Sequence, residues 1–185
     1  MKWKRTTAFV LLFSLMGSTL LYADGVTQKI KVLYNGRELA DGAYVIDGKT
    51  YVPIREFNGL VTYNDNAKVV SFNKPNVHMF LFKGETPFGN VNVGKLKFNV
   101  FCQIDSLRTD ISAVKVAITA PDGTVKSIQS QNIGSNQKDN FWFRTDDFTY
   151  DFKSSGKYSV GFYIKQSQSD DYTLISEKIV NAIDN

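Results

Sequence analysis

Between Lys95 and Ile104 every even position is apolar: Leu96, Phe98, Val100, Cys102 and Ile104. The odd positions are polar except for Phe101. A period of two is the mark of a strand that buries one face. Val114, Val116 and Ile118 repeat it, and Pro121-Asp122-Gly123 then turns the chain into a strand over Thr124 to Ile128. Tyr158, Val160, Phe162 and Ile164 form a further buried row after the turn Ser154-Ser155-Gly156, and Tyr172 to Val180 supplies a last strand. Short antiparallel strands over about 90 residues, with turns between them, predict a β-sandwich.

The region before it reads as a smaller β meander. Ile30 to Tyr34 is a strand that ends at Asn35-Gly36, where both residues tolerate positive φ and so favour a tight hairpin. Tyr44 to Ile46 is closed by Asp47-Gly48, and Thr50 to Val52 runs into Pro53, which suits an edge or a helix start. Thr62-Tyr63 pairs with Lys68 to Phe72 across Asn64-Asp65-Asn66. Between these regions Pro75, Gly84, Pro87 and Gly89 read as loop, while Val77 to Phe82 is either the meander's last strand or a bridge. The expected plan is a leader over 1–23, the meander over 24–74, a linker or bridging strand over 75–92, and the sandwich over 93–185.

The leader has the pattern of an export signal. Lys2, Lys4 and Arg5 precede an apolar run from Ala8 to Met16, and Leu21-Tyr22-Ala23 offers a cleavage site before Asp24. Even stretched to Tyr22, the apolar part falls short of the ~20 residues of a membrane span. The compartment expected is therefore extracellular or cell-wall associated. Cleavage also changes the charge, because 22 Lys+Arg against 18 Asp+Glu becomes 19 against 18. With no block of like charge left, neither nucleic acid nor a membrane surface is an expected partner.

Little in the composition points to catalysis. A lone Cys102 cannot close an intramolecular disulfide, and its apolar row marks it as a core thiol rather than a nucleophile. His78 is the single histidine, flanked by Val77 and Met79. Asp146, Asp147 and Asp151 lie close in sequence, as do Asp170 and Asp171. Either set has the chemistry for acid–base work or calcium, but neither has EF-hand spacing, and solvated turn acids are the preferred reading. No catalytic residue, metal site or cofactor is expected.

The order Ile30-Lys-Val-Leu-Tyr-Asn-Gly36, Gly48-Lys-Thr-Tyr-Val-Pro-Ile-Arg55 and Tyr63-Asn-Asp65 resembles the small stalk domain found at the N-terminus of some copper amine oxidases and in many secreted proteins of Gram-positive bacteria. The resemblance covers about 45 residues. It departs from the family pattern at Arg55 to Leu60, which leaves room for only about one helical turn, so Phe57 and Leu60 are expected to cover that sheet almost alone. Oxidase chemistry needs three histidine ligands and a tyrosine-derived quinone, which a chain with one histidine does not supply. Gly156-Lys-Tyr158-Ser-Val160 resembles the tyrosine corner of immunoglobulin-like sandwiches. The fold class expected is thus mainly β: a stalk-like meander with a short helical turn, plus an immunoglobulin-like sandwich.

Phe141-Trp-Phe-Arg-Thr-Asp-Asp-Phe-Thr-Tyr-Asp-Phe152 is the candidate binding segment. Alternation puts Phe141 and Phe143 on one face and Trp142 and Arg144 on the other. Trp142, Arg144 and Tyr150 are the expected ligand contacts, suited to a sugar ring or a partner surface. The competing position for Trp142, and the favoured one, is as a plug in the sandwich core. The function expected is a secreted, non-catalytic binding or structural protein that engages cell-wall polymer or matrix. The alternative is an accessory protein, an inhibitor or chaperone, acting on another exported protein.

Overall fold

A computed structural model describes residues 27–134 and 139–184. The export signal expected over 1–23 lies outside the described residues. The chain divides into two compact units that meet in sequence at Glu56 and Phe57. Among the described residues no helix is long and apolar enough to cross a membrane.

The first unit contains β1 (Gln28–Ile30), β2 (Leu33–Tyr34), β3 (Arg37–Glu38), β4 (Ala43–Ile46) and β5 (Lys49–Tyr51). β1, β4 and β5 form an antiparallel sheet in the order β1-β4-β5, and β2 pairs with β3. The two expected hairpin turns form as read: Asn35 and Gly36 have φ of 51° and 78°, Asp47 and Gly48 of 50° and 73°. Positive φ at both central residues is the type I′ geometry that matches strand twist. The strand expected over Ile30 to Tyr34 is instead broken, because β1 and β2 take different partners. A single 3-10 turn, Ile54–Glu56, follows Pro53, whose carbonyl accepts the Glu56 N–H at 3.1 Å.

The second unit opens with a hairpin, β6 (Leu60–Asn64) and β7 (Val69–Asn73). Its turn is closed by the Asn64 carboxamide oxygen, which accepts the Ala67 N–H at 2.9 Å, and by Lys68 at φ 54°. Leu60 is buried in the core of this second unit, and the Asn73 amide donates to the Leu107 carbonyl. That corrects the expectation that Leu60 serves the meander.

The sandwich comprises β8 (Asn76–Lys83), β9 (Thr86–Phe88), β10 (Asn90–Asn92), β11 (Gly94–Asp105), β12 (Ala113–Thr119), β13 (Val125–Asn132), β14 (Phe141–Arg144), β15 (Phe148–Phe152), β16 (Gly156–Lys165) and β17 (Thr173–Ile183). One sheet runs β14-β11-β8-β9, with β15 also on β11, and the other runs β10-β17-β16-β12-β13. All pairs are antiparallel except β10 with β17. The stretch read as a linker or bridging strand over 75–92 forms three strands, which start both sheets, the chain passing between them at Gly89. Gly84 supplies the tight turn and Pro87 sits on an edge strand, where a missing N–H costs no ladder bond.

The apolar rows read from sequence meet between the sheets. Phe98, Val100, Cys102 and Ile104 face Val114, Val116, Ile118, Val160, Phe162 and Ile164, all fully buried. The Tyr158 hydroxyl donates to the Ser154 carbonyl at 3.0 Å and accepts the Ser154 N–H at 3.3 Å, the bond that a tyrosine corner makes. Tyr158→Phe is expected to cost about 1–2 kcal/mol in urea denaturation, because the Ser154 groups lose their partner and no packing volume changes. A loss near zero would mean that water replaces the hydroxyl freely.

Burial pushes the Cys102 thiol up to about 12, so it stays protonated at neutral pH. Cys102→Ser is expected to cost about 1–3 kcal/mol by placing a hydroxyl in an apolar row. The native thiol should stay unlabelled by a bulky maleimide; rapid labelling would contradict its burial.

Candidate functional site

The row of β11 that alternates with the core faces outward. It runs Lys95, Lys97, Asn99, Phe101, Gln103. Register assembles the rest: Phe101 lies between Phe80 of β8 and Arg144 of β14, Gln103 between His78 and Trp142, and Asn99 beside Phe82. The outer face of this sheet therefore carries four rings, Phe80, Phe82, Phe101 and Trp142, drawn from three strands. Phe101 and Trp142 lie 6.5 Å apart by ring centroids, and Phe80 and Phe82 lie 6.4 Å apart. Trp142 is 77% exposed and Phe80 47%. The favoured expectation that Trp142 plugs the core is thus overturned. Phe143 takes the inward position of β14 instead, 6.4 Å from the ring of Phe162.

Arg144 is held in place. Its Nε donates to the Asn99 carboxamide oxygen at 3.1 Å, and the Asn99 amide donates to Asp147 Oδ1 at 3.1 Å. Asp147 Oδ2 meets the Lys97 ammonium at 3.1 Å. Asn99 is only 4% exposed although it lies on the outer face, and both ends of its amide are satisfied. The Asn99 hydrogen bond, then that of Lys97, hold the Asp147 carboxyl below the usual carboxylate range, with the charges of Lys97 and Arg144 adding to this. A depressed native pKa means that the network's contribution is present above the unfolded value and is lost as pH falls through the native one.

The chain is positioned here by a break between β14 and β15. Both strands pair with β11, but the ladder is interrupted at Thr145, whose hydroxyl accepts the Val100 N–H at 2.9 Å while its own N–H donates to the Val100 carbonyl at 2.9 Å. Asp146 N–H donates to the Gln129 carboxamide at 2.7 Å. The acids read as a solvated turn thus include one, Asp147, that orients Arg144.

Tyr150 does not join Trp142 and Arg144. It faces inward, 5.0 Å from Phe152 and 5.9 Å from Tyr158 by ring centroids, and is 9% exposed. It lines a separate hollow of about 250 Å³ with Asp122, Lys126, Lys153 and Tyr158. There the Lys126 ammonium stands 5.0 Å over the Phe148 ring and 5.8 Å over that of Tyr150. Burial first, then Tyr158, Asp122 and Asp151, raise the Tyr150 hydroxyl above its ordinary pKa.

His78 is exposed on the outer face with its Nε2 3.0 Å from the Asn76 amide, whereas Cys102 points into the core from the neighbouring strand. The two occupy opposite faces of one sheet. Among the described residues no group of three or more His, Cys, Asp or Glu is placed to hold a metal ion. Asp170 is a turn acid, its carboxylate accepting the Ser167 N–H at 2.9 Å.

A shallow hollow of about 220 Å³ opens on the outer face, lined by Phe82, Gly84, Glu85, Phe101 and Arg144. Phe80, Phe82, Phe101, Asn99 and Glu85 were not expected as site residues. Phe101 and Asn99 lay in the outward row of β11, and the others join them only through strand register and the turn after β8.

No protein-family model matches the chain, and no curated protein is detectably similar to it in sequence. The crystal structure of the C-terminal domain of wzt is similar over 60% of this chain and 75% of that chain, with a TM-score of 0.42 and 16% identical residues.

Proposed function

We propose that the chain is an exported, non-catalytic binding protein that holds a glycan strand of the cell envelope on the outer face of β14-β11-β8. The observation that carries this reading is the band of four rings crossing three strands, with Trp142 and Phe80 exposed and Phe82 and Phe101 half-buried. Singly exposed apolar residues are ordinary, but contiguous ones mark interaction surfaces. The band is interleaved with the planar hydrogen-bonding groups of Gln103, His78 and Arg144. Sugars present an apolar ring face for stacking and hydroxyls at the edge, so they use both features at once. The leader pattern supports export. The Tyr158 hydrogen bond supports an immunoglobulin-like assignment of the sandwich. The two type I′ turns suit a stalk-like first unit that acts as a spacer.

The test is co-sedimentation of the mature chain with purified cell-wall polysaccharide. Trp142→Ala is expected to weaken binding by at least ~10-fold with an unchanged melting temperature, the loss typical of a central aromatic anchor. Undiminished binding by that variant would remove the face from the function. A stoichiometric exported protein recovered in place of the polymer would favour the accessory-protein reading.

A further inference from the structure

We infer that the hollow between Phe82 and Phe101 is a subsite for one uncharged sugar ring, with Arg144 donating to its hydroxyls and Glu85 accepting from them. This deepens the proposed function and rests on it. The hollow has two phenyl walls from neighbouring strands, Phe82 of β8 and Phe101 of β11. Its polar groups are one guanidinium and one carboxylate. A ligand of either charge would meet a like charge there as well as an opposite one. An uncharged ring with adjacent hydroxyls meets no such conflict, because each hydroxyl both donates and accepts.

The fold holds Arg144 before a ligand arrives, and a tight turn fixes where Glu85 leaves the backbone. Glu85 is the second residue of the two-residue turn joining β8 to β9, and Gly84, at φ 61°, takes the left-handed position that such a turn requires at its first residue. Arg144 spends its Nε–H on Asn99, which leaves its two terminal amino groups for a ligand. Asn99 is buried and fixed in turn by Asp147, and Asp147 by Lys97. A side chain already held in its bound geometry loses less freedom on binding, so more of the contact energy appears as affinity. A chain of four polar residues across β11 and the β14–β15 break is more than packing requires on a solvent face. Its orienting effect falls on Arg144.

The experiment is calorimetric titration of the mature chain with three probes: cellopentaose, chitopentaose and an oligogalacturonate of similar length. One of the neutral oligomers is expected to bind best, with an affinity that changes little between low and high salt. Arg144→Lys and Glu85→Gln are each expected to weaken that binding about tenfold at unchanged melting temperature, since lysine cannot reproduce the guanidinium fork. Trp142→Ala serves as the control for the whole face. If Trp142→Ala weakens binding but neither of the other variants does, the face binds glycan and the subsite assignment is overturned. Tighter binding of oligogalacturonate, strengthened by Glu85→Gln, would overturn the uncharged ligand while leaving the face intact. If none of these probes nor wall polysaccharide binds the unaltered chain, the glycan reading itself falls.

Discussion

Replacing Phe98 by alanine is expected to destabilise the second unit by about 3–5 kcal/mol, the range for deleting a large aromatic from a packed core. Phe98 is fully buried on β11, at the point where the ladder changes partner from β14 to β15. Its ring lies 5.7 Å from that of Phe88, 6.2 Å from Phe148 and 6.3 Å from Phe152 by centroids, with Phe88 and Phe148 both meeting it edge to face. Those neighbours come from β9 and β15, which flank β11 and β8 and cannot collapse inward without breaking their own ladders. The cavity therefore stays largely open, and the cost adds lost burial to lost ring contacts. Against a typical total of about 5–15 kcal/mol, such a loss is a large share. Urea denaturation of the unaltered and variant chains measures it directly. A loss below about 1 kcal/mol would mean that the aromatic cluster repacks and is not the rigid centre of this sheet.

The contrast between Tyr150 and Trp142 shows where sequence pattern stops being sufficient. Counted without interruption from Trp142, even positions 144, 146, 148 and 150 would all face outward. The ladder break at Thr145 shifts the parity, so that Phe148, Tyr150 and Phe152 turn inward while Trp142 and Arg144 stay out. Asp146 and Asp147 read as turn acids, but nothing local says that the turn shifts the parity: Thr145 reads as an ordinary strand residue until its hydroxyl is seen to take the Val100 N–H. One inserted step flips every later side chain to the other face. Within unbroken strands parity is a sufficient guide, as the buried rows of β11, β12 and β16 show.

The binding face itself was legible only in fragments. Phe101 stood out as the one apolar residue in a polar row, and Phe80 and Phe82 sat in a run too apolar to assign to a face. What joins them is register between β8, β11 and β14, strands separated in sequence by up to some sixty residues. Asn99 stood out only as one more polar residue of an outward row, and Asp147 only as one of three neighbouring acids read as solvated turn residues. Their role exists only after pairing brings Arg144 to Asn99. The Asn-Gly and Asp-Gly turns were legible because the constraint they answer, positive φ at adjacent residues, is local.

Gly42 answers a constraint of the opposite kind, and Gly42→Ala is expected to unfold the sheet of the first unit. Its φ of 65° already disfavours any residue with a Cβ, by about 1–2 kcal/mol. The added Cβ would stand 2.6 Å from the carbonyl oxygen of Ile30, a backbone atom that cannot rotate away. Ile30 is the register partner of Ala43, so relief must come by parting β1 from β4. Ala43 and Leu39 are the buried apolar residues described in this unit, which leaves little core to hold the sheet against that strain. Gly48→Ala supplies the comparison, because Gly48 has a φ of 73° but nothing within 4 Å of the place its new methyl would occupy. It should bear the backbone term alone, about 1–2 kcal/mol. Amide hydrogen exchange separates the two variants. For Gly42→Ala, protection should vanish in β1, β4 and β5 and persist in β11, β12 and β16; for Gly48→Ala it should fall in the first unit without vanishing. Equal protection in the two variants would show that the Ile30 carbonyl yields, and that only the backbone conformation matters at Gly42.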